Sequence, residues 1–208
     1  MKPRILVPVN RLAAAKGRLA DVLTRDQRAE LALATLRTVL SAATAWEAQA
    51  TVLTADTGVA AHVDRPHVVE EEVAGLAGLS AQIEGAIERL GLGEVLILHA
   101  DLPLATSAAL EALVASAPPP PSATIIESAD GGTNAMLLRP PGKFSLHYGR
   151  KSASAHHRAA EEAGFAFMVA PGEELALDLD TPVDIARLLG SQKGRTSPAG
   201  RMLRSWGF

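Results

Sequence analysis

Along this chain, short apolar runs alternate with stretches whose apolar residues recur every three or four positions. Seven runs read as strands: Arg4–Val9, Ala50–Ala55, His67–Val69, Glu94–Ala100, Ala123–Ser128, Ala135–Leu138 and Phe165–Ala170. The run "EVLILHA" (Glu94–Ala100) is apolar at successive positions, as a central strand covered on both faces must be. The clearest helix begins at Arg25. Thr24 and Gln27 have the spacing of a capping box, and Leu33, Leu36, Val39, Leu40 and Ala43 share one face. Further helices are predicted at Leu79–Leu90, Ser107–Ala115, Ser152–Ala163 and Pro182–Leu189. The last starts with Thr181 as cap, Pro182 in the first turn and Asp184 near the positive end of the helix.

Strands alternating with helices imply a Rossmann-like, doubly wound α/β fold: a three-layer sandwich around a mostly parallel sheet. Ligands of such sheets lie at the carboxyl ends of the strands. That directs attention to the residues after Val9, His99, Ser128 and Ala170. Residues 1–190 form one domain in this reading. Ser191–Phe208 is a basic, Gly- and Ser-rich tail, read as a frayed terminus. The alternative is that Leu203, Trp206 and Phe208 dock on a neighbour.

Composition narrows the chemistry. The 208 residues include no cysteine, which removes disulfides, thiolate metal sites and a cysteine nucleophile. A net charge of −3 gives no electrostatic reason to expect nucleic acid. No apolar run reaches the length of a membrane span. A cytoplasmic protein, monomer or homodimer, acting on small molecules is the expectation.

Asp101, in "HADLPL", falls at the edge of the central strand, and "ALDLDTP" supplies Asp178 and Asp180 on one face of an extended segment. Carboxylates from separate strand ends can hold a Mg²⁺ that also meets substrate phosphates. Lys16 and Arg18, in the loop that leaves the first strand at Val9, would then face a phosphate chain across that metal. The loop has neither the P-loop nor the dinucleotide glycine pattern. Gly78, Leu79 and Ser80, with Gln82, form a glycine turn into a helix that could read the edge of a base. Thr133, Gly149 and Ser152 offer hydroxyls and backbone N–H groups to an anion. His156 and His157 read as packing or surface residues.

The ordered segments "VPVN-x-L-x-x-AK-x-RL", "GLSAQI", "HADLPL", "GTNAMLLRP", "YG-x-x-S-x-x-x-H" and "LDLDTP" run from Val7 to Pro182. In them the chain resembles the phospholactate guanylyltransferase family of coenzyme F420 biosynthesis, which includes the phosphoenolpyruvate and 3-phosphoglycerate guanylyltransferases. The resemblance implies the nucleotide-diphospho-sugar transferase type of fold. It implies GMP transfer from GTP to the phosphate of a three-carbon acid, with Mg²⁺ and release of pyrophosphate. By position it implies Lys16 on the nucleotide phosphates, Asp101 and Asp178 on the metal with Asp180 beside them, and Thr133, Gly149 and Ser152 on the acid. Val9, Gly78, Leu79 and Ser80 would lie along the nucleotide. Asn10 departs from the usual Lys, Gly17 and Ser80 from the frequent Ser and Asn, and "YGRKS" from a more usual Gly-Pro-Gly-Ser. Arg150 and Lys151 thereby add two charges near the acid, which favours 3-phosphoglycerate. The rivals are a molybdopterin cytidylyl- or guanylyltransferase, a glycosyltransferase of similar fold, and a nucleotide-binding module without activity.

Overall fold

A computed structural model of the chain describes residues 2–64, 67–70 and 75–208. Its strands are β1 (Arg4–Pro8), β2 (Ala50–Leu53), β3 (Val68–Glu70), β4 (Val95–Leu98), β5 (Ser122–Glu127), β6 (Thr133–Arg139) and β7 (Ala166–Val169). The helices are α1 (Arg25–Ala45), α2 (Thr57–Ala60), α3 (Leu79–Arg89), α4 (Ser107–Ser116), α5 (Ser152–Ala163), α6 (Glu173–Ala176), α7 (Pro182–Gly190), α8 (Gln192–Thr196) and α9 (Pro198–Ser205). Each of the seven apolar runs overlaps a strand, the predicted capping box of Thr24 with Gln27 is formed, and the predicted cap Thr181 forms a second such box with Asp184.

The sheet order is β3-β2-β1-β4-β6-β5-β7. Every neighbouring pair is parallel except the two that involve β6, which runs against β4 and β5. A five-residue connection, 128–132, joins β5 to β6, too short for a crossover, so β6 must return antiparallel. Its first residue, Thr133, therefore arrives at the edge where β1 and β4 end.

Side-chain alternation divides the core. Ile5, Val7, Leu96 and Leu98 point to one face and pack with Leu36, Val39 and Leu40 of α1 and Leu110 and Leu113 of α4. Leu6, Val95 and Ile97 point to the other and pack with Ile83 of α3 and Ala160 of α5. These are the three layers.

A third cluster joins Leu19, Leu23 and Leu31 to Leu179, Ile185, Leu188, Ala199 and Leu203. It corrects the reading of Ser191–Phe208 as frayed: the segment folds into α8 and α9. The serines are helix caps, Ser191 accepting from Gly194 N–H and Ser197 from Gly200 N–H. The glycines permit close approach rather than flexibility. A Cβ on Gly194 would stand 1.7 Å from the Leu188 carbonyl oxygen, and one on Gly200 2.0 Å from that of Gly194. Leu203 is fully buried, and Trp206 packs against the cluster. Through Leu19 the cluster reaches the loop that carries Lys16 and Arg18. Among the described residues no helix is long and apolar enough to cross a membrane.

Candidate functional site

The carboxyl ends of β1 and β4 open into a cleft of about 420 Å³. Val9, Asn10, Lys16, Arg18, Leu79, His99, Asp101 and Asp180 are among its lining residues. Lys16 has a left-handed backbone, φ +53°, a conformation costing roughly 1–2 kcal/mol for a residue with a side chain. It begins the tight turn Gly17–Leu19, Leu19 N–H donating to its carbonyl at 2.9 Å. Its ammonium, with only 5% of the side chain exposed, donates to Asp101 Oδ2 at 3.2 Å and Asp180 Oδ1 at 3.0 Å. Arg18, more open, donates to Asp180 Oδ2 at 2.8 Å. Burial opposes the charge on Lys16 and on Asp101, but their attraction outweighs it: Lys16 is held above the ordinary lysine value and Asp101 below the carboxylate range.

Asp178 joins this group. Carboxylate oxygens of Asp101, Asp178 and Asp180 lie within 4.8 Å of one another. Burial, and after it the charge of Asp101, pushes the Asp178 carboxyl up to about 6. Asp101 Oδ1 is buried without a hydrogen-bond partner among the described residues. Three converging carboxylates, one with an orphaned oxygen and one driven towards protonation by burial and then by its neighbours, have more negative charge than Lys16 and Arg18 answer. That donor set fits Mg²⁺, a hard cation that takes one or two carboxylates and completes its shell with phosphate oxygens and water.

The second group of predicted residues stands apart and is neutral. Thr133 and Ser152 are buried, and Ser152 Oγ donates to Thr133 Oγ1 at 3.0 Å. His156, read as packing or surface, is fully buried and belongs to the same chain. Its Nε2 accepts from His147 N–H at 2.9 Å, which leaves Nδ1 as the protonated nitrogen, 3.0 Å from Thr133 Oγ1. Burial, and next the nearby His147, lowers His156 to about 4. His157 is exposed and stacks on Phe167. Gly149 has φ +147° and lies exposed with Arg150 and Lys151 before α5.

Gly78, Leu79 and Ser80 border a smaller cavity of about 170 Å³ or the segment beside it. Gly78 (φ +85°) and Leu79 line it with Asn10 and Gln82, whose Nε2 donates to the Leu76 carbonyl at 2.7 Å. Ser80 is turned elsewhere: its Oγ accepts from Tyr148 N–H at 2.9 Å, while Glu84, one turn on, accepts from Leu146 N–H at 2.7 Å. Helix α3 thus holds the strap that leads to Gly149.

Two supports escaped the sequence reading. Asp56 accepts from Leu12 N–H at 2.7 Å and pins the opening loop. That hydrogen bond, more than any other influence, keeps its carboxyl below the usual range. Its Asp-x-Gly spacing, with Gly58 N–H on the other oxygen, was the available signal. Asn134 is buried in β6 and donates to the carbonyls of Leu175 and Ala176, both at 3.1 Å, fixing the approach to Asp178. The motif "GTNAM" contained it without revealing which direction it faces.

The family described as "Guanylyl transferase CofC like" matches residues 3–208. The phosphoenolpyruvate guanylyltransferase of Sphaerobacter thermophilus is 36% identical over 190 residues, 89% of this chain and 91% of that one. The 2-phospho-L-lactate guanylyltransferase of Halorubrum lacusprofundi is 36% identical over 93% of this chain and 88% of its own. Among solved structures, a Desulfovibrio desulfuricans G20 protein provisionally grouped with the nucleotide-diphospho-sugar transferases superposes with a TM-score of 0.77. It is 19% identical, with coverage of 97% of this chain and 94% of that one, so the likeness is one of fold. With the matched residues spanning both the cation–carboxylate cluster and the buried Thr133–Ser152 chain, this protein belongs to the CofC-like guanylyltransferase family.

Proposed function

We propose that this chain transfers GMP from GTP to the phosphate of a small phosphorylated three-carbon acid, releasing pyrophosphate, as a step of coenzyme F420 biosynthesis. The observation that carries the reading is the cluster at the mouth of the cleft, where Lys16, Asp101, Asp178 and Asp180 converge. The attacking group is the acid's own phosphate, largely dianionic at neutral pH because its second pKa is about 6. One of its oxygens bonds to the α-phosphorus of GTP, and the bond from that phosphorus to the bridging oxygen breaks. No proton has to be removed, so a general base is unnecessary.

The obstacle is the approach of two anions. Asp101 and Asp178, with Asp180 beside them, would hold a Mg²⁺, which would supply positive charge to offset the repulsion between the two phosphates. Lys16 and Arg18 stabilise the pyrophosphate as it departs. Gly78 and Leu79, with Val9 at the end of β1, line the nucleotide's path, and the ~170 Å³ cavity suits a base. Ser80 serves that path indirectly, by holding the Tyr148–Gly149 strap. Thr133, Gly149 and Ser152 form the acid's side, where the start of α5 favours negative charge. The names of the relatives favour phosphoenolpyruvate or 2-phospho-L-lactate, whereas exposed Arg150 and Lys151 favour 3-phosphoglycerate.

The test is pyrophosphate release from GTP with Mg²⁺ and each of the three acids, repeated with CTP. Release with GTP and one acid supports the reading. Release with CTP and a molybdopterin acceptor alone would make it a different nucleotidyltransferase, and GTP binding without release would make it a binding module.

A further inference from the structure

Two buried polar atoms on facing rings have no hydrogen-bond partner among the described residues: Nε2 of His99 and the hydroxyl oxygen of Tyr148. The ring centroids are 5.3 Å apart. His99 stands two residues before Asp101 and lines the large cleft. The Tyr148 ring meets His156 edge-on at 5.0 Å, against the Thr133–Ser152 chain. The pair therefore bridges the charged and the neutral parts of the site.

The backbone that carries Tyr148 is pinned. Three successive backbone amides are each held by a side chain: Leu146 N–H by Glu84, His147 N–H by His156 and Tyr148 N–H by Ser80. Native proteins rarely leave a buried polar atom unpaired, and a phenol hydroxyl beside an imidazole nitrogen, which donates in the Nε2-protonated tautomer, marks a place for an oxygen that accepts from both.

We propose that His99 and Tyr148 are a further recognition pair for the acceptor, the imidazole N–H and phenol O–H donating to a carboxylate oxygen of the phosphorylated acid. This deepens the function proposed above and rests on it. The acid's phosphate has to lie at the carboxylate cluster to reach the α-phosphorus. Its other end then extends along β4 and β6 towards His99, Tyr148 and Thr133. Neutral donors suit that end: they bind an anionic oxygen strongly and do not compete with Lys16 and Arg18 for phosphate.

Tyr148→Phe keeps the ring and removes the hydroxyl. Calorimetric titration with phosphoenolpyruvate, 2-phospho-L-lactate and 3-phosphoglycerate is compared with titration by glycerol 3-phosphate, which has the phosphate but no carboxylate. For the best-bound acid, Tyr148→Phe is expected to weaken affinity about tenfold, the loss of one hydrogen bond to a charged group. For glycerol 3-phosphate the ratio of variant to native affinity stays near one, and the KM for GTP is unchanged. His99→Leu repeats the pattern, and the double variant loses less than the product of the two single losses, because both donors serve one oxygen. Unchanged acid affinity in Tyr148→Phe, or an equal loss for glycerol 3-phosphate, overturns the pair and leaves the two atoms to a buried water. Absence of native turnover with every acid would instead overturn the proposed reaction. The titrations need no turnover and still decide the pair.

Discussion

The two halves of the site are built on opposite principles. Around Asp101 the groups are charged and in excess of their partners: Lys16 and Arg18 pair with Asp101 and Asp180, and Asp178 adds a third carboxylate beside them. Around Thr133 they are neutral, sealed and mutually satisfied, Ser152 to Thr133 to His156 to the His147 amide. The charged half is supported from behind by packing, since Leu19 sits in the cluster made by α7 and the C-terminal helices. The neutral half is held by its own hydrogen bonds. Incomplete charge compensation suits a place where a metal and phosphates come and go. Completed hydrogen bonding suits a surface that must keep its shape as they do.

The most severe way to break this comparison is at the charged half. Asp101→Asn removes one charge without altering shape, and Lys16 keeps Asp180 as a partner. Turnover is expected to fall on the order of 10²- to 10³-fold, with the melting temperature within a few degrees of native. Steady-state pyrophosphate release and a thermal melt check it, and a folded variant with near-native rate would refute the role assigned to the carboxylates.

The next effect tests the packing behind that half. Leu203 is fully buried against α1 and the opening loop. Leu203→Ala should destabilise the protein by roughly 2–5 kcal/mol, as deletion of a buried leucine side chain does. Urea titration gives the value. If the tail supports the Lys16 turn, the KM for GTP rises in the folded variant while affinity for the acid does not. Equal changes in both would mean that the tail stabilises the fold without favouring either half.

The neutral half predicts a pH dependence of its own. His156 sits near 4 in the folded protein against an ordinary 6.5. A histidine with a depressed folded value contributes stability that is fully present above 6.5 and lost as pH falls from 6.5 through about 4. Its size is at most about 3 kcal/mol, at ~1.4 kcal/mol for each tenfold change. Chemical denaturation at pH 7.5 and 4.5 should therefore show a fall that His156→Gln diminishes. An unchanged pH slope in His156→Gln would assign the acid sensitivity to other groups.

Much of this architecture was legible in the sequence. Apolar period alone located the seven strands, because a sheet covered on both faces leaves few polar positions within them. Lys16, Arg18 and Asp101 were expected together because the carboxyl ends of neighbouring parallel strands converge, whereas Asp178 and Asp180, also expected at a strand end, reach the cluster from the extended segment between α6 and α7. The reversal of β6 was not visible in its residues, since an antiparallel strand buried on both faces has the same apolar run as a parallel one. The tail misled through composition: Gly194 and Gly200 look like flexible linker residues, yet they are glycines because a carbonyl oxygen occupies the space of a Cβ. Ser80, Asp56 and Asn134 act through backbone groups of distant segments, and a single sequence contains no record of such partners.

The smallest expected effect is also the finest test of the sealed half. Ser152 Oγ donates to Thr133, and the pair is almost fully buried. Ser152→Ala leaves one lone pair of Thr133 unanswered while His156 still supplies the other. The loss is that of one neutral hydrogen bond, about 1 kcal/mol, or roughly fivefold in affinity for the acid. The KM for GTP is expected to stay within twofold, since no atom of Ser152 lines the large cleft. Measuring both constants in Ser152→Ala and in Thr133→Val separates two arrangements. If Thr133 meets the acid and Ser152 only orients Thr133, the valine variant loses more than the alanine variant, and combining them adds little further loss. If the two hydroxyls bind the acid independently, their losses multiply. A change confined to GTP would move both residues to the nucleotide's side and remove the contrast between the halves.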